Sequence, residues 1–374
     1  MRIEPAVPAD VLAAIRAALA TAGAQPVDAP IVQPLNLLLD LAGEAMRARL
    51  FIVQAEGGPE TCLRPDFTVA VARAHIESGA ASGRYAYEGP AFRASPDGDR
   101  PEQFLQLGVE AFSTADAPVV DTDAEIAGLA WRASAAGGRS DLTLWLGDVG
   151  LFSAFIESLS LPPALAARLK RVAGRPRLLA AELARAGEAA APPEGAQLAA
   201  MLAGLDAAQA AVLLEEVWAL AGVEPVGGRG AAEIAARLVR RAEAAGAPAL
   251  TEAQASAIRG FMAISDAPAK GLAQVRALAG RGMEPALDAW TPRLEALTAA
   301  VPADRMRFAP ALGHAFDYYD GLTFEVRSEA LGADRAVAVG GRYDGLPARL
   351  GGSSVGGAVG CVVRPWRAFA GGEA

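Results

Sequence analysis

Cysteine and long apolar runs are scarce in this sequence, and each scarcity excludes a class of protein. The two cysteines, Cys62 and Cys361, lie far apart and outside any CxxC spacing, which argues against a disulfide framework or a zinc site. We expect both to be buried as small hydrophobic residues. Although 52% of the chain is hydrophobic, no stretch approaches the roughly 20 consecutive apolar residues that a membrane-spanning helix needs.

The first ten residues, MRIEPAVPAD, contain neither a charged segment leading into an apolar run nor a small-residue cleavage site. They give no sign of an export signal, so a cytoplasmic location is expected. The 34 basic and 43 acidic residues give a net charge of −9, whereas proteins that grip a polyanion usually carry a concentrated basic surface. The overall charge therefore argues against nucleic acid as a partner.

The chain of 374 residues is long enough for two domains, or for one large domain with an insertion. Short β-type segments broken by turn residues occupy residues 61–113 and return after Pro302. Between them, residues 159–301 are rich in alanine and show a helical period. This order predicts an α+β fold, with residues 1–158 and 302–374 forming a sheet domain and residues 159–301 a mostly helical insertion.

Local signals predict where several helices begin. Apolar residues at helical spacing indicate a first helix that begins with Asp10 as N-cap and stops at Gly23. A threonine followed three positions later by Glu or Gln has the spacing of a capping box, which predicts helix starts at Thr122 and Thr251. His75 lies in another apolar-periodic run and is expected on a helix face rather than as a ligand.

Residues 63–68, LRPDFT, place a guanidinium, a carboxylate and a hydroxyl within six positions. Arg64 is suited to clamping an anion, Asp66 to accepting an α-amino group, and Thr68 to supporting that contact. The alternative is an ordinary turn held together by an Arg–Asp pair.

A second polar segment follows Phe92-Arg93 and a turn-rich loop, and reads QLGVE over residues 106–110. Because side chains alternate faces along a strand, Gln106, Gly108 and Glu110 are expected to point the same way. The glycine would leave room for a group to lie across the sheet between an amide and a carboxylate. The alternative is a solvated strand face.

Two further segments combine tyrosines with glycines. Residues 314–321 read HAFDYYDG, and of the adjacent Tyr318 and Tyr319 one is expected to pack while the other presents its hydroxyl to a pocket. Residues 339–346 read VGGRYDGL, in which the glycine pair permits a close backbone approach next to a cation, a phenol and an acid. Taken alone, this glycine-rich segment is most often a hairpin.

In this order, the four segments resemble the histidyl-tRNA synthetase branch of the class II aminoacyl-tRNA synthetases. In that branch, motifs reading LRPEGT, QLGxE, RGLDYY and GGRYDGL line one pocket. The resemblance covers residues 1–158 and 302–374. It implies an antiparallel sheet flanked by helices, with a helical insertion where residues 159–301 lie.

The resemblance also implies a set of site residues. The histidine ligand of that branch is held by positions that fall here on Asp66, Thr68, Gln106, Glu110, Tyr319 and Tyr343. The acid of the first motif is one methylene shorter here, because aspartate stands at residue 66. Arg64, Arg93 and Arg100 remain candidates for binding an anion or a nucleotide, and neither a metal nor a cofactor is expected.

The chain departs from the synthetase pattern at positions that carry the chemistry. His314 stands where the arginine of RGLDYY helps the histidine carboxylate attack ATP, and a mostly neutral imidazole does not supply a fixed bidentate charge. Val362-Val363 stands where the third class II motif ends in Glu-Arg, and Arg364 follows one residue later. A shift of one residue along a strand is expected to send Arg364 to the opposite face. Activation of histidine with ATP is therefore not expected.

The sequence continues about ten residues past this motif, where the synthetases carry an anticodon-binding domain of ordinary size, roughly 100 residues. We therefore expect no such domain and no tRNA partner. A histidine pocket without activation or tRNA recognition is typical of the paralogous regulatory subunits of the hetero-oligomeric ATP phosphoribosyltransferase, the first enzyme of histidine biosynthesis. Residues 28–34, DAPIVQP, and 39–44, LDLAGE, also resemble the start of those paralogues.

Membership of that family implies a non-catalytic chain that dimerises, binds the short catalytic subunit in a hetero-octamer, activates it, and mediates feedback inhibition by histidine. The alternative is an active histidine-activating enzyme. Whether histidine is sensed in the ancestral pocket or at a subunit interface stays open at this point, as does the surface that meets the partner.

Overall fold

Among the residues that the structure describes, the strands form two sheets. The computed structural model describes residues 1–96, 98, 100–172, 176–184, 186, 205, 207–221, 250–313, 318–352 and 355–372. The predicted role of His314 therefore lies outside the described residues. The strands are β1 (Gln25–Pro26), β2 (Val32–Pro34), β3 (Ile52–Gln54), β4 (Glu60–Leu63), β5 (Gly83–Phe92), β6 (Gln103–Ser113), β7 (Leu142–Asp148), β8 (Met306–Phe308), β9 (Leu322–Ser328), β10 (Ala338–Arg342) and β11 (Gly357–Val363).

The larger sheet has eight strands in the order β1-β5-β6-β11-β10-β9-β7-β8. All pairs between β5 and β7 in this order are antiparallel, while the two edge strands β1 and β8 pair in parallel with β5 and β7. The predicted antiparallel sheet is thus confirmed at its centre and corrected at its edges, where the sheet is mixed. The smaller sheet has the order β2-β4-β3.

The described helices flank these sheets. They are α1 (Ala9–Ala20), α2 (Leu35–Ala42), α3 (Thr68–Ser78), α4 (Val119–Ala135), α5 (Val149–Ser158), α6 (Pro163–Val172), α7 (Pro176–Ala184), α8 (Ala207–Ala221), α9 (Glu252–Ala263), α10 (Pro268–Leu278), α11 (Glu284–Asp288), α12 (Trp290–Thr298), α13 (Gly345–Arg349) and α14 (Pro365–Ala368). Within the described ranges, no helix is both long and apolar enough to cross a bilayer.

Helix α4 covers the face of the sheet opposite the candidate site and contacts β9, β10, β11, α1 and α12. Its apolar residues Ile126, Leu129 and Ala133 recur at helical spacing and are almost completely buried. Such a stripe provides the apolar face that holds a helix on a sheet. At about 25 cal/mol per Å² of buried apolar surface, each large side chain of this stripe stabilises the packing by about 1.5–3 kcal/mol.

Of the three predicted helix starts, one is confirmed and two are wrong. Thr251 is confirmed, because its backbone N–H donates to the Gln254 side chain and its hydroxyl accepts from the Gln254 N–H. The prediction at Thr122 is wrong, since α4 begins at Val119 after Pro118, and the Thr122 hydroxyl donates back to the Pro118 carbonyl. Asp10 is likewise corrected, because α1 follows Pro8 and Asp10 lies within its first turn.

The chain forms two compact units, which are Met1–Ala154 with Phe261–Ala374, and Phe155–Gly260. The sheets belong to the first unit. In the second unit, the described elements that lie wholly within it are the helices α6, α7 and α8. Helices α10 to α12 lie in the first unit, where Trp290 packs edge-on against Phe308 of β8. The predicted domain boundaries, with an insertion over residues 159–301, stay a prediction.

Candidate functional site

A cavity of about 710 Å³ opens on the face of the large sheet formed by β6, β10 and β11. Its volume is within the ordinary range for a site that binds a small molecule. Three of the six predicted histidine-binding residues line it, namely Asp66, Thr68 and Tyr319, as do two of the three predicted anion-binding arginines. Gln106, Glu110 and Tyr343 are not among its lining residues and are buried. The lining includes Asp66, Thr68, Tyr87, Arg93, Arg100, Tyr318, Tyr319, Val362 and Arg364.

Glu110 is buried behind the lining residues Thr68 and Tyr87, both of which it contacts. We define the amino-acid end of the cavity as Asp66, Thr68, Glu110, Tyr319 and the groups that contact them. Glu110 is 1% exposed and accepts hydrogen bonds from Thr68 at 2.7 Å, Tyr87 at 3.2 Å and Tyr343 at 2.5 Å. An ionised carboxylate has about four acceptor positions. Three are thus filled within the protein, which leaves about one for a ligand.

Burial raises the pKa of Glu110 to about 7, and the nearby carboxylate of Asp66 adds to the rise, while the hydroxyls of Tyr343, Thr68 and Tyr87 oppose it. Burial, followed by the charge of Glu110, also raises the pKa of Tyr343 well above its ordinary value. The tyrosine therefore remains a hydrogen-bond donor, and Glu110 exchanges its proton near neutral pH.

Two glycines of the sheet leave the space that the side chains of Glu110 and Tyr319 occupy. Gly360 of β11 lies directly opposite Glu110, and a Cβ on Gly360 would lie 1.5 Å from the carboxylate oxygen Oε2. Gly341 is paired with Gly360, and a Cβ there would lie 2.8 Å from the Tyr319 ring. Because real Cβ atoms do not approach other atoms so closely, only glycine allows Glu110 and Tyr319 to lie flat on the sheet.

Asp66 is 7% exposed, and neither of its carboxylate oxygens has a hydrogen-bond partner of ordinary geometry among the described residues. Burial raises the pKa of Asp66, and the rise is opposed by the charge of Arg93 and by the nearby backbone N–H groups of Thr68 and Val69 at the start of α3. A buried carboxylate without a partner is costly. Asp66 is therefore suited to receive a cationic donor such as an ammonium group.

Gln106 lies on the same face of β6 as Glu110 and is 2% exposed. Its Oε1 atom also lacks a hydrogen-bond partner among the described residues. The predicted alternation along β6 is confirmed by its continuous antiparallel pairing with β5. The room above Gly108 is filled by Tyr87, since a Cβ on Gly108 would lie 2.3 Å from the Tyr87 hydroxyl.

The two adjacent tyrosines both line the cavity. Tyr318 is 4% exposed and Tyr319 is partly exposed, and their ring centroids are 4.7 Å apart. Burial raises the pKa of both phenols. Tyr318 belongs to the buried core, and Tyr319 packs against it. Both precede β9, which begins at Leu322, so strand alternation does not govern them, and which hydroxyl meets a ligand stays a prediction.

Tyr343 is fixed from the other side of the sheet by its neighbour in sequence. Arg342 forms a salt bridge of 2.8 Å with Asp123 of α4, and Arg293 of α12 forms one of 2.9 Å with the same carboxylate. Asp123 is completely buried. A buried carboxylate between two guanidiniums fixes the Arg342 backbone, and with it the position from which Tyr343 reaches Glu110.

Six arginines also line the cavity, and we call this group the arginine end: Arg49, Arg93, Arg100, Arg327, Arg364 and Arg367. Burial lowers the pKa of Arg364 to about 10, and lowers that of Arg367 to about 9 with help from the charge of Arg364. Glu325 and Glu4 pair with Arg327 and Arg364, so the six guanidiniums still leave an excess of positive charge that favours an anion at this end.

Arg64 has a different place from the other two predicted anion-binding residues. Its Nε donates to the Pro90 carbonyl at 2.9 Å and another of its nitrogens donates to the Ala29 carbonyl. Its guanidinium also stacks 3.8 Å from the centroid of the Phe67 ring. These contacts tie the segment before α3 to β5, and the anion-binding role of Arg64 stays a prediction.

The expectation that Arg364 would face away from the site is wrong. Val362 and Arg364 both line the cavity, because they are two positions apart and therefore share a face. Arg364 lies 3.6 Å over the Phe104 ring and forms a buried salt bridge with Glu4. The sequence analysis missed Glu4, since nothing local connects two residues 360 positions apart.

Tyr87 was missed as well, although it contacts Glu110. The sequence did indicate, through the glycine at residue 108, that some group lies across the sheet there. It did not indicate that this group is Tyr87. Cys62 and Cys361 are both buried, as predicted. His75 is completely buried on α3, where it contacts the Tyr85 hydroxyl and stacks on Phe112.

The central antiparallel strands, with a cavity that buried carboxylates and arginines share, match the class II aminoacyl-tRNA synthetase-like fold. The family model described as histidyl-tRNA synthetase matches residues 6–226 and 229–364. The ATP phosphoribosyltransferase regulatory subunit of Mesorhizobium japonicum is 35% identical over 87% of both chains. The regulatory subunit of the same name from Brucella anthropi is 33% identical over 91% of both chains.

Solved structures agree on the fold. A Bacillus halodurans structure described as an ATP phosphoribosyltransferase regulatory subunit/histidyl-tRNA synthetase matches with a TM-score of 0.65 at 19% identity, over 97% of this chain and 78% of that one. The histidyl-tRNA synthetase from Nostoc sp. PCC 7120 matches with a TM-score of 0.60 at 16% identity, over 96% and 69% of the two chains. The chain therefore belongs to the histidyl-tRNA synthetase family, on the branch of the ATP phosphoribosyltransferase regulatory subunits.

Proposed function

We propose that this chain is the non-catalytic regulatory subunit of a hetero-oligomeric ATP phosphoribosyltransferase, and that it senses histidine in the amino-acid end of the cavity. In this role it activates a separate short catalytic chain and transmits feedback inhibition by histidine. The observation that carries the proposal is the buried carboxylate of Asp66, which among the described residues has only the backbone N–H groups of Thr68 and Val69 nearby, close to Glu110, which already accepts three hydrogen bonds. The names of relatives that match almost the whole chain support it.

The arrangement suits histidine in one orientation. The α-ammonium group would lie between Asp66 and Oε1 of Gln106, the two acceptors that have no partner among the described residues. The imidazole would point toward Glu110, where one remaining acceptor position fits a single ring N–H. Tyr319 would cover the ring, and Thr68 and Tyr343 would hold Glu110 in place through the hydroxyls that they donate.

The chain is proposed to lack synthetase activity of its own. Val362 lines the cavity at a position where the synthetase motif carries a glutamate, and an apolar side chain provides no charge for a nucleotide or its metal ion. Arg364 is already paired with Glu4. Measurable histidine-dependent ATP–pyrophosphate exchange by the isolated chain would favour the alternative, an active histidine-activating enzyme.

We also propose that the chain acts within a larger assembly. The chain would form a homodimer through its sheet domain, bind the short catalytic subunit in a hetero-octamer, and act in the cytoplasm without tRNA. Inhibition requires that histidine bind one state of this assembly better than another. Arg93 and Arg100 line the cavity and are proposed to bind any anion that enters beside histidine.

The deciding experiment titrates this chain into the short catalytic subunit and follows phosphoribosyl transfer with and without histidine. We expect added chain to raise the rate, and histidine to suppress the increase. The matched control is the Asp66→Asn variant, which should still activate the partner but should require more histidine for inhibition. A rate and a histidine sensitivity that do not change on addition of the chain would refute the proposal.

A further inference from the structure

The first residues of the chain run beside the start of β6. The Glu4 N–H donates to the Gln103 carbonyl at 2.9 Å, and the N–H groups of Glu102 and Gln103 donate to the Arg2 carbonyl at 2.8 and 3.0 Å. Ile3 forms an isolated parallel bridge with Gln103. We call residues 2–4 the N-terminal strap.

The side chain of Arg2 ties together the segment that precedes β6. It donates to the carbonyls of Arg100 at 3.1 Å and Ser95 at 3.4 Å, and also to that of Gly98. Gly98 has a φ of +76°, and a Cβ there would lie 2.8 Å from Arg2. One guanidinium therefore gathers three backbone carbonyls, and the glycine both makes the turn and leaves room for the guanidinium.

This segment forms part of the cavity wall. Residues 94–96 together with 100 and 101, which we call the rim segment, all line the cavity. The Arg93 Nε donates to the Pro65 carbonyl at 2.9 Å, next to Asp66. Because Arg2 holds the rim segment from outside, the strap determines how closely this wall approaches the amino-acid and arginine ends.

The other end of the strap reaches the cavity itself. Glu4 is 8% exposed and pairs with Arg364, which is 9% exposed. The pairing is incomplete, because Oε2 of Glu4 and Nε of Arg364 have no hydrogen-bond partner among the described residues. Arg364 lines the cavity and rests on Phe104. A buried guanidinium with an unused donor can take a second acceptor, and Glu4 is the carboxylate that an incoming anion must displace or share.

We propose that the N-terminal strap positions both walls of the cavity: Arg2 holds the rim segment, while Glu4 holds Arg364 as an internal carboxylate that competes with anions from solution. Arg2 and Glu4 are positioning residues. This inference goes beyond the proposed regulatory function, because it concerns the access of anions to the arginine end and does not require histidine to bind.

The first test measures binding of inorganic pyrophosphate to the full chain by isothermal titration calorimetry. Glu4→Gln removes the competing charge and should tighten binding about tenfold, and adding Arg364→Ala should abolish the gain. Glu88→Gln is the matched control, because it removes an equal charge from an exposed residue of β5 that pairs with Arg16 and does not line the cavity. It should leave the affinity within about twofold. Equal affinities of wild type and Glu4→Gln would overturn the proposal, as would equal gains for both variants.

If Glu4→Gln does not fold, Glu4→Asp serves instead. The shorter aspartate keeps the negative charge but does not reach as far toward Arg364. This variant should bind pyrophosphate about threefold more tightly than wild type, and no gain would count against the proposal. ATP in place of pyrophosphate distinguishes recognition of phosphate from recognition of a nucleotide. Equal gains with both probes indicate that the phosphate groups alone are recognised.

The second test measures hydrogen exchange of the backbone amides in residues 93–104. Arg2→Ala should accelerate exchange at Glu102 and Gln103 at least about tenfold, and Arg2→Lys should restore only part of the protection because it lacks the fork of donors. Arg16→Ala, which removes the exposed pair with Glu88 on β5, should have no effect there. Unchanged exchange rates in a folded Arg2→Ala protein would overturn the role of Arg2, whether or not the chain binds histidine.

Discussion

Glu110 and Gly360 face one another across β6 and β11, and the carboxylate of Glu110 occupies the space that any side chain at residue 360 would need. The acid could not lie flat on the sheet beside a larger residue. Its three hydroxyl donors, on Thr68, Tyr87 and Tyr343, come from separate segments of the chain. A glycine in one strand thus sets the geometry of an acid in another.

Gly360→Ala should displace Glu110 and break its contacts with the three hydroxyls. Since hydrogen bonds to a charged group are each worth about 1.5–3 kcal/mol, we expect histidine affinity to fall by at least about tenfold, as measured by calorimetry. Gly58→Ala is the control, because a Cβ at Gly58 meets Ala55 only at ordinary contact distances of 3.4 Å or more. Wild-type affinity in a folded Gly360→Ala protein would contradict the assigned geometry.

Glu110 should make stability depend on pH. Its pKa is about 7 in the folded protein, against an ordinary value of 4.5, so the folded state holds the proton more tightly. The stabilisation is therefore complete below pH 4.5 and is lost as the pH rises through 7, a change of about 3 kcal/mol in the free energy of unfolding. Urea denaturation at pH 5 and pH 8 should show this loss in wild type but not in Glu110→Gln, and parallel curves for both would contradict it.

Asp66→Asn should affect binding and stability in opposite directions. Loss of the charge that meets the ammonium group should weaken histidine binding by about 10- to 100-fold. The melting temperature of the ligand-free protein should rise, because burial raises the pKa of Asp66 and its ionised form is therefore disfavoured in the folded state. Calorimetry and thermal unfolding measure the two effects.

Asp66→Glu is the matched control for this substitution, since it keeps the charge and adds one methylene. It should retain histidine binding within about tenfold of wild type. If Asp66→Asn and Asp66→Glu weaken binding equally, shape rather than charge governs the contact. If neither weakens it, histidine binds elsewhere.

Asp123→Ala should leave Arg293 and Arg342 buried without their counter-ion. Removing one partner of a buried ion pair costs about 3–5 kcal/mol, which should appear as a lower urea midpoint with an unchanged slope. Asp304→Ala is the control, because the Asp304 side chain is 83% exposed and comes no closer than 3.9 Å to Arg305. Its effect should stay below about 1 kcal/mol, and equal losses for both variants would contradict the role of Asp123.

The sequence predicted much of the site because its informative residues lie within short segments. The alternation of Gln106, Gly108 and Glu110 follows from strand geometry alone, and the structure bears it out through the register of β6. The resemblance to the synthetase motifs then indicated which segments converge. Local spacing sufficed wherever the partners of a residue were its near neighbours.

The remaining features depend on contacts that local spacing does not record. The start of α4 was misplaced because Pro118, rather than Thr122, precedes the helix. The parallel pairing at both sheet edges, of β1 with β5 and of β8 with β7, joins segments that no turn connects. Arg364 lies on the cavity face because it is two positions from Val362, which also lines the cavity, and the synthetase motif alone does not show which of Val362 and Val363 faces the site.

The central position of β11 has a consequence for the order of folding. This strand pairs with β6 on one side and β10 on the other, and its residue Gly357 accepts a hydrogen bond from Ser113, 244 positions earlier in the chain. Contacts so distant in sequence are slow to form. During synthesis, β5 and β6 therefore emerge long before β11. Until β11 is made, the edge of β6 that it will cover is unpaired and can associate with other chains. A chaperone requirement during expression is the expected cost of this topology.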